Sequence, residues 1–336
     1  MQAGGTIQIV LHLNSGRVES VDMQSTRHDV SEALFRGRTP KEVISRMKQT
    51  YSLCGTAQTI AACEAVEMAF GTDTPAPVVA ARDLMRLAEM ATQIAMRLCL
   101  HLPKALGMAP VPGVVQAAMA LETELAHMFG GALASEGAAE PAVDMDGILK
   151  KLENLQGQAA GLDEPGGLYD RVRSELQARG WLGFGALPEG VKPEQGAFRR
   201  RWDEQEVADA RKAFGAGLLA RIEAGFCDLA ALPDEMRAIL DQNIPPSRMP
   251  APDGVGGQGR ATVETARGAL THLVDIRDGR IASYQIAAPT EDTFAPGGPV
   301  EVGLLGASDR DLETAARLHV LAIDPCVEFT IKVHHA

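Results

Sequence analysis

The pair Asp278-Gly279 constrains this chain more than any other feature, because it specifies a tight β-hairpin around itself. A two-residue type I′ turn needs positive φ at both central positions, a conformation open to Asp and Gly and closed to β-branched residues. The flanks Leu273-Val274-Asp275-Ile276 and Ile281-Ala282-Ser283-Tyr284-Gln285-Ile286 carry the β-branched and aromatic residues that suit paired strands. Such a turn sets Arg277 opposite Arg280 and Ile276 opposite Ile281. Carried to the open end, the same register sets Arg267 opposite Thr290, beside Gly268 and Pro289 where a ladder would loosen. A guanidinium fork and a hydroxyl meeting there would suit a small anion. Spacing alone also allows a plain surface arginine and a turn threonine.

The length of 336 residues allows one large domain or two ordinary ones with a sizeable core. A net charge of −12 argues against nucleic acid or an anionic membrane as the main partner. No run of about 18 apolar residues occurs, and Met1 leads into polar, Gly-rich sequence without a signal-peptide pattern. The expected location is cytoplasmic. Cys54, Cys63, Cys99, Cys227 and Cys326 are scattered, odd in number and without any CxxC, which fits neither a disulfide framework nor a zinc site. Cys63, Cys99 and Cys227 read as buried thiols.

Along the chain, Ile7 to Met23 alternates around Asn14-Ser15-Gly16 and predicts a first hairpin. Thr39-Pro40 caps a helix to about Thr50. A further helix of about 14 residues begins near Ala57, with Ile60, Ala61, Ala65 and Met68 on one apolar face. Cys54 therefore sits just ahead of a helix N-terminus. There it is either a small buried residue or a thiol whose ionised form the helix field favours. Helices are predicted at about 80–101, 113–129, 144–156, 168–179, 204–225, 228–241 and 308–320, the first of them Met-rich and core-like. Gly-, Ala- and Pro-rich stretches at 130–143, 157–167 and 183–196 read as flexible insertions, and 244–260 as a flexible loop. The organisation is thus a hairpin over 1–25, a helical body over 30–243, and a final unit over 261–336. The apolar approach Val320, Leu321 and Ile323 argues that Asp324-Pro325-Cys326 docks in the core, although chain ends commonly fray.

With these residues in view, the chain resembles the large-subunit superfamily of nickel–iron hydrogenases, and within it the HupK/HoxV-type hydrogenase expression/formation proteins. The likeness runs nearly end to end. Glu32 followed by Gly37-Arg38-Thr39-Pro40 resembles the Glu-x4-Gly-Arg-x-Pro element, and Leu53-Cys54-Gly55 the start of the first cysteine motif. Glu264-Thr265-Ala266-Arg267-Gly268, with Leu270 and His272, is similar to the Glu-Ala-Pro-Arg-Gly segment. Pro289-Thr290 is similar to the Pro-Ser/Thr element, and Asp324-Pro325-Cys326 to the C-terminal cysteine motif. The resemblance implies one α+β, mostly helical large-subunit-like domain over 1–336, with an N-terminal and a central β-hairpin.

The departures carry the functional reading. In the hydrogenases each cysteine motif is CxxC, and the thiolates hold nickel and bridge it to iron. Here Cys54 and Cys326 remain, Ala57 and Phe329 stand at the second positions, Ala61 replaces the supporting histidine, and Ser52 stands where Arg is usual. Hydrogen turnover and a nickel site are therefore not expected. In the family, the residues matching Arg267 and Thr290 donate hydrogen bonds to cyanides on the iron, each charged one worth roughly 1.5–3 kcal/mol. The resemblance thus implies a non-enzymatic scaffold for Fe(CN)2CO. Cys54 and Cys326 would be its iron ligands, and Arg267, Pro289 and Thr290 the cradle for the diatomic ligands. Glu32 matches a family proton-relay glutamate and would accept protons during thiolate exchange or serve structure alone. Implied partners are HypC/HypD-type maturation proteins and a hydrogenase large-subunit precursor. Only Val333-His334-His335-Ala336 follows Lys332, so no cleavable tail is expected, and these residues read as a disordered basic end. The alternative is a metal-free chaperone that keeps the fold and docks on maturation partners. An electron-transfer role like that of complex I relatives fits less well, since those have lost the metal cysteines altogether. His272 reads as a satisfied strand histidine.

Overall fold

The computed structural model describes residues 5–26, 30–133, 144–245, 247 and 256–335. Most of the segments expected to be flexible at 130–143 and 244–260 lie outside them. The chain opens with β1 (Thr6–Asn14) and β2 (Arg17–Ser25), joined through Ser15 and Gly16 at φ 51° and 77°. α1 (Ser31–Phe35) follows, then α2 (Pro40–Thr50), which starts on a capping box: Thr39 Oγ1 accepts from the Glu42 amide while the Glu42 carboxylate accepts from that of Thr39. α3 (Gly55–Phe70) and α4 (Ala76–Met96) come next. A π-helical turn at Arg97–His101 carries α4 into α5 (Leu102–Ala105).

The helical body continues through α6 (Pro112–Phe129), α7 (Met145–Ala160), α8 (Leu168–Arg179), α9 (Ala197–Arg200), α10 (Gln205–Phe214) and α11 (Leu218–Leu240). The helix expected over 204–225 instead breaks at Gly215-Ala216-Gly217. Gly215 sits at φ 82°, which a helix cannot hold, and α11 then runs unbroken past 226–227. Two strands fall where sequence periodicity set no strand. β3 (Gln258–Thr265) precedes β4 (Gly268–Arg277) and β5 (Arg280–Ala287), and β6 (Glu328–His335) closes the chain after α12 (Pro299–Leu304) and α13 (Leu312–Ile323).

β6 lies parallel to β1, so the two ends of the chain share one sheet in the order β2-β1-β6. His334 and His335 belong to this strand, opposite His12 and Leu13, and the His12 and His334 rings meet edge-on at 5.5 Å. The expected disordered basic end is therefore an ordered strand through His335. Its anchor is Ile331, buried against Ile9, Leu11 and α13.

The antiparallel sheet β3-β4-β5 packs Val263, Leu270, Val274 and Tyr284 against Ala57, Ile60, Ala61 and Ala65 of α3. α3 is buried almost all round, with Met68 its exposed residue at 60% rather than part of the core face. Helices α4, α6, α7 and α11 enclose the largest core, which includes Leu84, Ile94, Leu121, Leu152 and Leu229. No helix among the described residues is long and apolar enough to cross a membrane.

Candidate functional site

Cys54 is the residue immediately before α3, half-buried, with its sulfur 3.7 Å from the Gln58 side-chain amide one turn on. Its position is as expected, but its charge environment differs. The first free amides of α3, those of Thr56 and Ala57, donate to the buried carboxylate of Glu89 at 2.7 and 3.0 Å. The helix field is thus already answered by an anion. Burial pushes the Cys54 thiol up to about 11, with Glu89 adding to the rise and Arg267 and Gln58 opposing it. Burial likewise carries the Glu89 carboxyl up to about 7.

Arg267 lies in the turn between β3 and β4, 9% exposed. Its Nε donates to the Asp324 carbonyl at 3.2 Å, one Nη to the Asp324 carboxylate at 3.2 Å, and the other to Gln93 Oε1 at 2.5 Å. A guanidinium has about five N–H groups, so this side chain keeps donors to spare. Gln93 in turn donates to the Leu53 carbonyl at 2.7 Å, tying the arginine to the residue before Cys54. Asp324 ends α13 in the left-handed region at φ 67° and turns the chain into Pro325-Cys326. Pro289 and Thr290 are buried in the turn after β5, where Thr290 Oγ1 approaches Cys326 Sγ at 3.2 Å.

The turn itself forms as the sequence predicts, with Asp278 at φ 51° and Gly279 at 71°, and Ile276 opposite Ile281. A bulge at Asp275/Ile276 then slips the register by one, and the ladder ends at Thr271 opposite Ala287. Arg267 and Thr290 are therefore not a ladder pair. Both reach the same segment, Asp324 to Cys326, from separate turns.

Arg267 feels the charges of Cys54 and Cys326 together, and the Cys326 sulfur adds to the cost of ionising Cys54, so the two sulfurs and the guanidinium share one neighbourhood. Beside them are buried polar atoms without a partner among the described residues: Asp324 Oδ2, and Nε and Nη2 of Arg97. Arg97 uses its remaining nitrogen on the Ala322 carbonyl at 2.9 Å.

Glu32 sits elsewhere in this network, on α1. It accepts from the Tyr284 amide at 2.9 Å and from Arg36 at 3.3 Å, at 43% side-chain exposure. It clamps α1 to β5, and the buried carboxylate facing Cys54 is Glu89. His272 is bonded at both ring nitrogens, by Tyr284 and Gln58, as a satisfied strand histidine should be. Ala57 and Ala61 are buried in the α3 core. Phe329 lies in β6 opposite Ile7, under the Arg317 guanidinium at 5.8 Å. Cys63 and Cys99 are buried thiols, while Cys227 is only half-buried on α11.

Gln58, Glu89 and Gln93 were not anticipated from the sequence. Their signal was present: Gln58 is one turn from Cys54, and Glu89 and Gln93 are one turn apart among the apolar residues of the second half of α4, where buried polar groups need partners. The stretch 183–196, read as an insertion, supports the site. Its Glu194 pairs with buried Arg221 at 2.6 Å, Gln195 accepts from the Ala269 amide at 2.9 Å, and Gly196 packs on the backbone of Ala266 and Arg267.

Residues 223–332 match the family of nickel-dependent hydrogenases. The hydrogenase expression/formation protein HupK of Bradyrhizobium diazoefficiens is 29% identical, the match covering 98% of this chain and 97% of that relative. HupK of Azotobacter vinelandii is 28% identical over 99% of both chains, and HoxV of Cupriavidus necator 29% identical over 91% of both. Among solved structures, the Ni-Fe-Se hydrogenase of D. vulgaris Hildenborough superposes with a TM-score of 0.72 at 16% identity, covering 94% of each chain. The reduced, active Ni-Fe-Se hydrogenase of Desulfomicrobium baculatum gives 0.71 at 15% identity, over 94% and 95%. The chain thus shares the large-subunit fold and is similar along nearly its full length to the hydrogenase expression/formation proteins HupK, HupV and HoxV.

Proposed function

We propose that this protein serves hydrogenase maturation as a non-enzymatic scaffold. It would receive the Fe(CN)2CO unit from HypC/HypD-type proteins in the cytoplasm and pass it to a hydrogenase large-subunit precursor. One observation supports this most: the buried Arg267 guanidinium is held by Asp324, two residues before Cys326, and through Gln93 is tied to Leu53, the residue before Cys54, so that both sulfurs act on its charge. The donor set suits such cargo. Low-spin iron that brings its own diatomic ligands needs few protein ligands, and soft thiolates are favourable ones. Arg267 retains unused N–H groups for cyanide nitrogens, and Thr290 places a hydroxyl at the Cys326 sulfur. Ala57 and Phe329 are taken up by the α3 core and by β6, so nickel lacks its further thiolates. The names of the relatives, all hydrogenase expression/formation proteins, agree with the broader role.

A metal-free chaperone is the second reading. It is favoured by the Cys54 thiol, which burial keeps protonated at neutral pH. Infrared spectra of anaerobically purified protein distinguish the two. The scaffold requires cyanide and CO stretches that vanish in Cys54→Ala and in Cys326→Ala. Full rescue of hydrogenase maturation by Cys54→Ala would sink it in favour of the chaperone.

A further inference from the structure

A buried polar chain leads away from Cys54: Gln58 Nε2 to the sulfur at 3.7 Å, Gln58 Oε1 to His272 Nε2 at 2.9 Å, and His272 Nδ1 to the Tyr284 hydroxyl at 2.7 Å. Gln58, His272 and Tyr284 are 2%, 0% and 0% exposed. We infer that Tyr284 and His272 are positioning residues that lock the Gln58 amide with its N–H toward Cys54, so that the site favours a sulfur carrying negative charge or bound to metal.

The argument is one of donors and acceptors. A buried phenol must donate its proton, and among the described residues the hydrogen-bond partner of the Tyr284 hydroxyl is His272 Nδ1. Nδ1 then accepts, which leaves the ring proton on Nε2, since a neutral imidazole carries one. Burial holds His272 neutral, its pKa lowered to about 3. Nε2–H needs an acceptor and finds Gln58 Oε1, and the amide is left to present its N–H to sulfur. The reverse chain has Nδ1–H donating to the phenol, Gln58 giving its N–H to Nε2, and the Gln58 carbonyl facing Cys54. It would orphan the phenolic proton, and would set an oxygen lone pair against the sulfur whenever that sulfur is ionised or bound to metal. An unmade buried hydrogen bond costs roughly 1–3 kcal/mol. The hydrogen bond from Gln58 acts to lower the Cys54 pKa, against the larger effect of burial.

This inference deepens the scaffold reading and rests on Cys54 being its working sulfur. The test uses the metal-free, full-length chain, so failure to bind iron would leave its outcome standing. In 15N-histidine-labelled protein, with His272→Gln used to assign the resonance, long-range proton–nitrogen correlation should show a neutral His272 ring protonated at Nε2. In Tyr284→Phe, which removes one oxygen, an Nδ1-protonated population should appear. Gln58→Leu should slow alkylation of Cys54 by iodoacetamide about tenfold, as expected for loss of a hydrogen bond to a charged group. Alkylation of Cys326 in the same sample serves as the reference. A wild-type ring protonated at Nδ1 overturns the inference. So does a Tyr284→Phe protein in which the tautomer is unchanged, or a folded Gln58→Leu protein with unaltered Cys54 reactivity.

Discussion

At the scale of single residues, Arg267 carries the heaviest constraint, since it neutralises Asp324, ties down Gln93 and feels the charge of both sulfurs. Replacing it with Met would leave the Asp324 carboxylate buried without its cation. The expected loss, read from urea unfolding, is about 3–5 kcal/mol, and Arg267→Lys should lose less because the charge remains. Glu89 gives a pH signature. Its carboxyl titrates near 4.5 when unfolded and near 7 in the fold, so between those values the folded state binds more protons and stability falls as pH rises. The full effect is at most about 3 kcal/mol. His272 acts oppositely: its ring titrates near 6.5 unfolded and near 3 folded, so its contribution is lost as pH falls below about 6.5. Buried His319, also held well below its ordinary value, acts in the same direction as His272, so in the wild type Glu89 offsets only part of a rise in stability with pH. Unfolding midpoints from pH 4.5 to 8 should therefore rise more steeply in Glu89→Gln, up to about pH 6.5. A pH profile identical to that of the wild type would count against the buried Glu89 assignment.

Among elements, α3 and the chain's last strand decide where the cysteines sit. β3 can lie close on α3 only because Gly259 has no side chain, and an added methyl would overlap the Ala65 carbonyl. Gly259→Ala should cost about 1–3 kcal/mol or more and, by pushing the sheet off α3, raise hydrogen exchange across β3 and the first turn of α3. β6 performs the matching service for Cys326 through its parallel pairing with β1. A chain ending at Val327 should expose the β1 edge and quicken alkylation of Cys326, while Cys54 reacts as before. Equal acceleration of both thiols would mean that truncation loosens the whole fold rather than one strand. The hairpins, the Thr39-Pro40 helix cap and the long apolar α4 were legible in the sequence, because each is set by a local rule: turn φ, cap chemistry or hydrophobic period. β6 and β3 were not. The pairing of β6 spans the full length of the chain, and β3 follows a Gly- and Pro-rich stretch that masks its start. The bulge at Asp275/Ile276 has no local signature, so a register extrapolated from Asp278-Gly279 failed beyond it.

For the molecule as a whole, the site lies where separate cores adjoin: α3 with the central sheet, the helical body that carries Gln93, and the terminal sheet with α13. A cargo bridging Cys54 and Cys326 would therefore add a covalent link between parts otherwise joined by packing and by the Arg267, Gln93 and Arg97 hydrogen bonds. If iron binds as proposed, the loaded protein should unfold at a higher midpoint, by about 2.7 kcal/mol at a hundredfold excess over Kd. That gain should be absent in Cys54→Ala. By itself the sequence determined the turns, most of the helices and the first candidate site residues: two lone cysteines, an arginine and a threonine in recognisable settings. The tertiary structure alone decided that Arg267 and Thr290 meet at Asp324–Cys326 rather than across a ladder, and that the Glu89 carboxylate caps the helix that starts at Cys54. The reason is physical. Turn and helix propensities act over a few residues, whereas desolvation and pairing of buried charge depend on which distant segments close over the site.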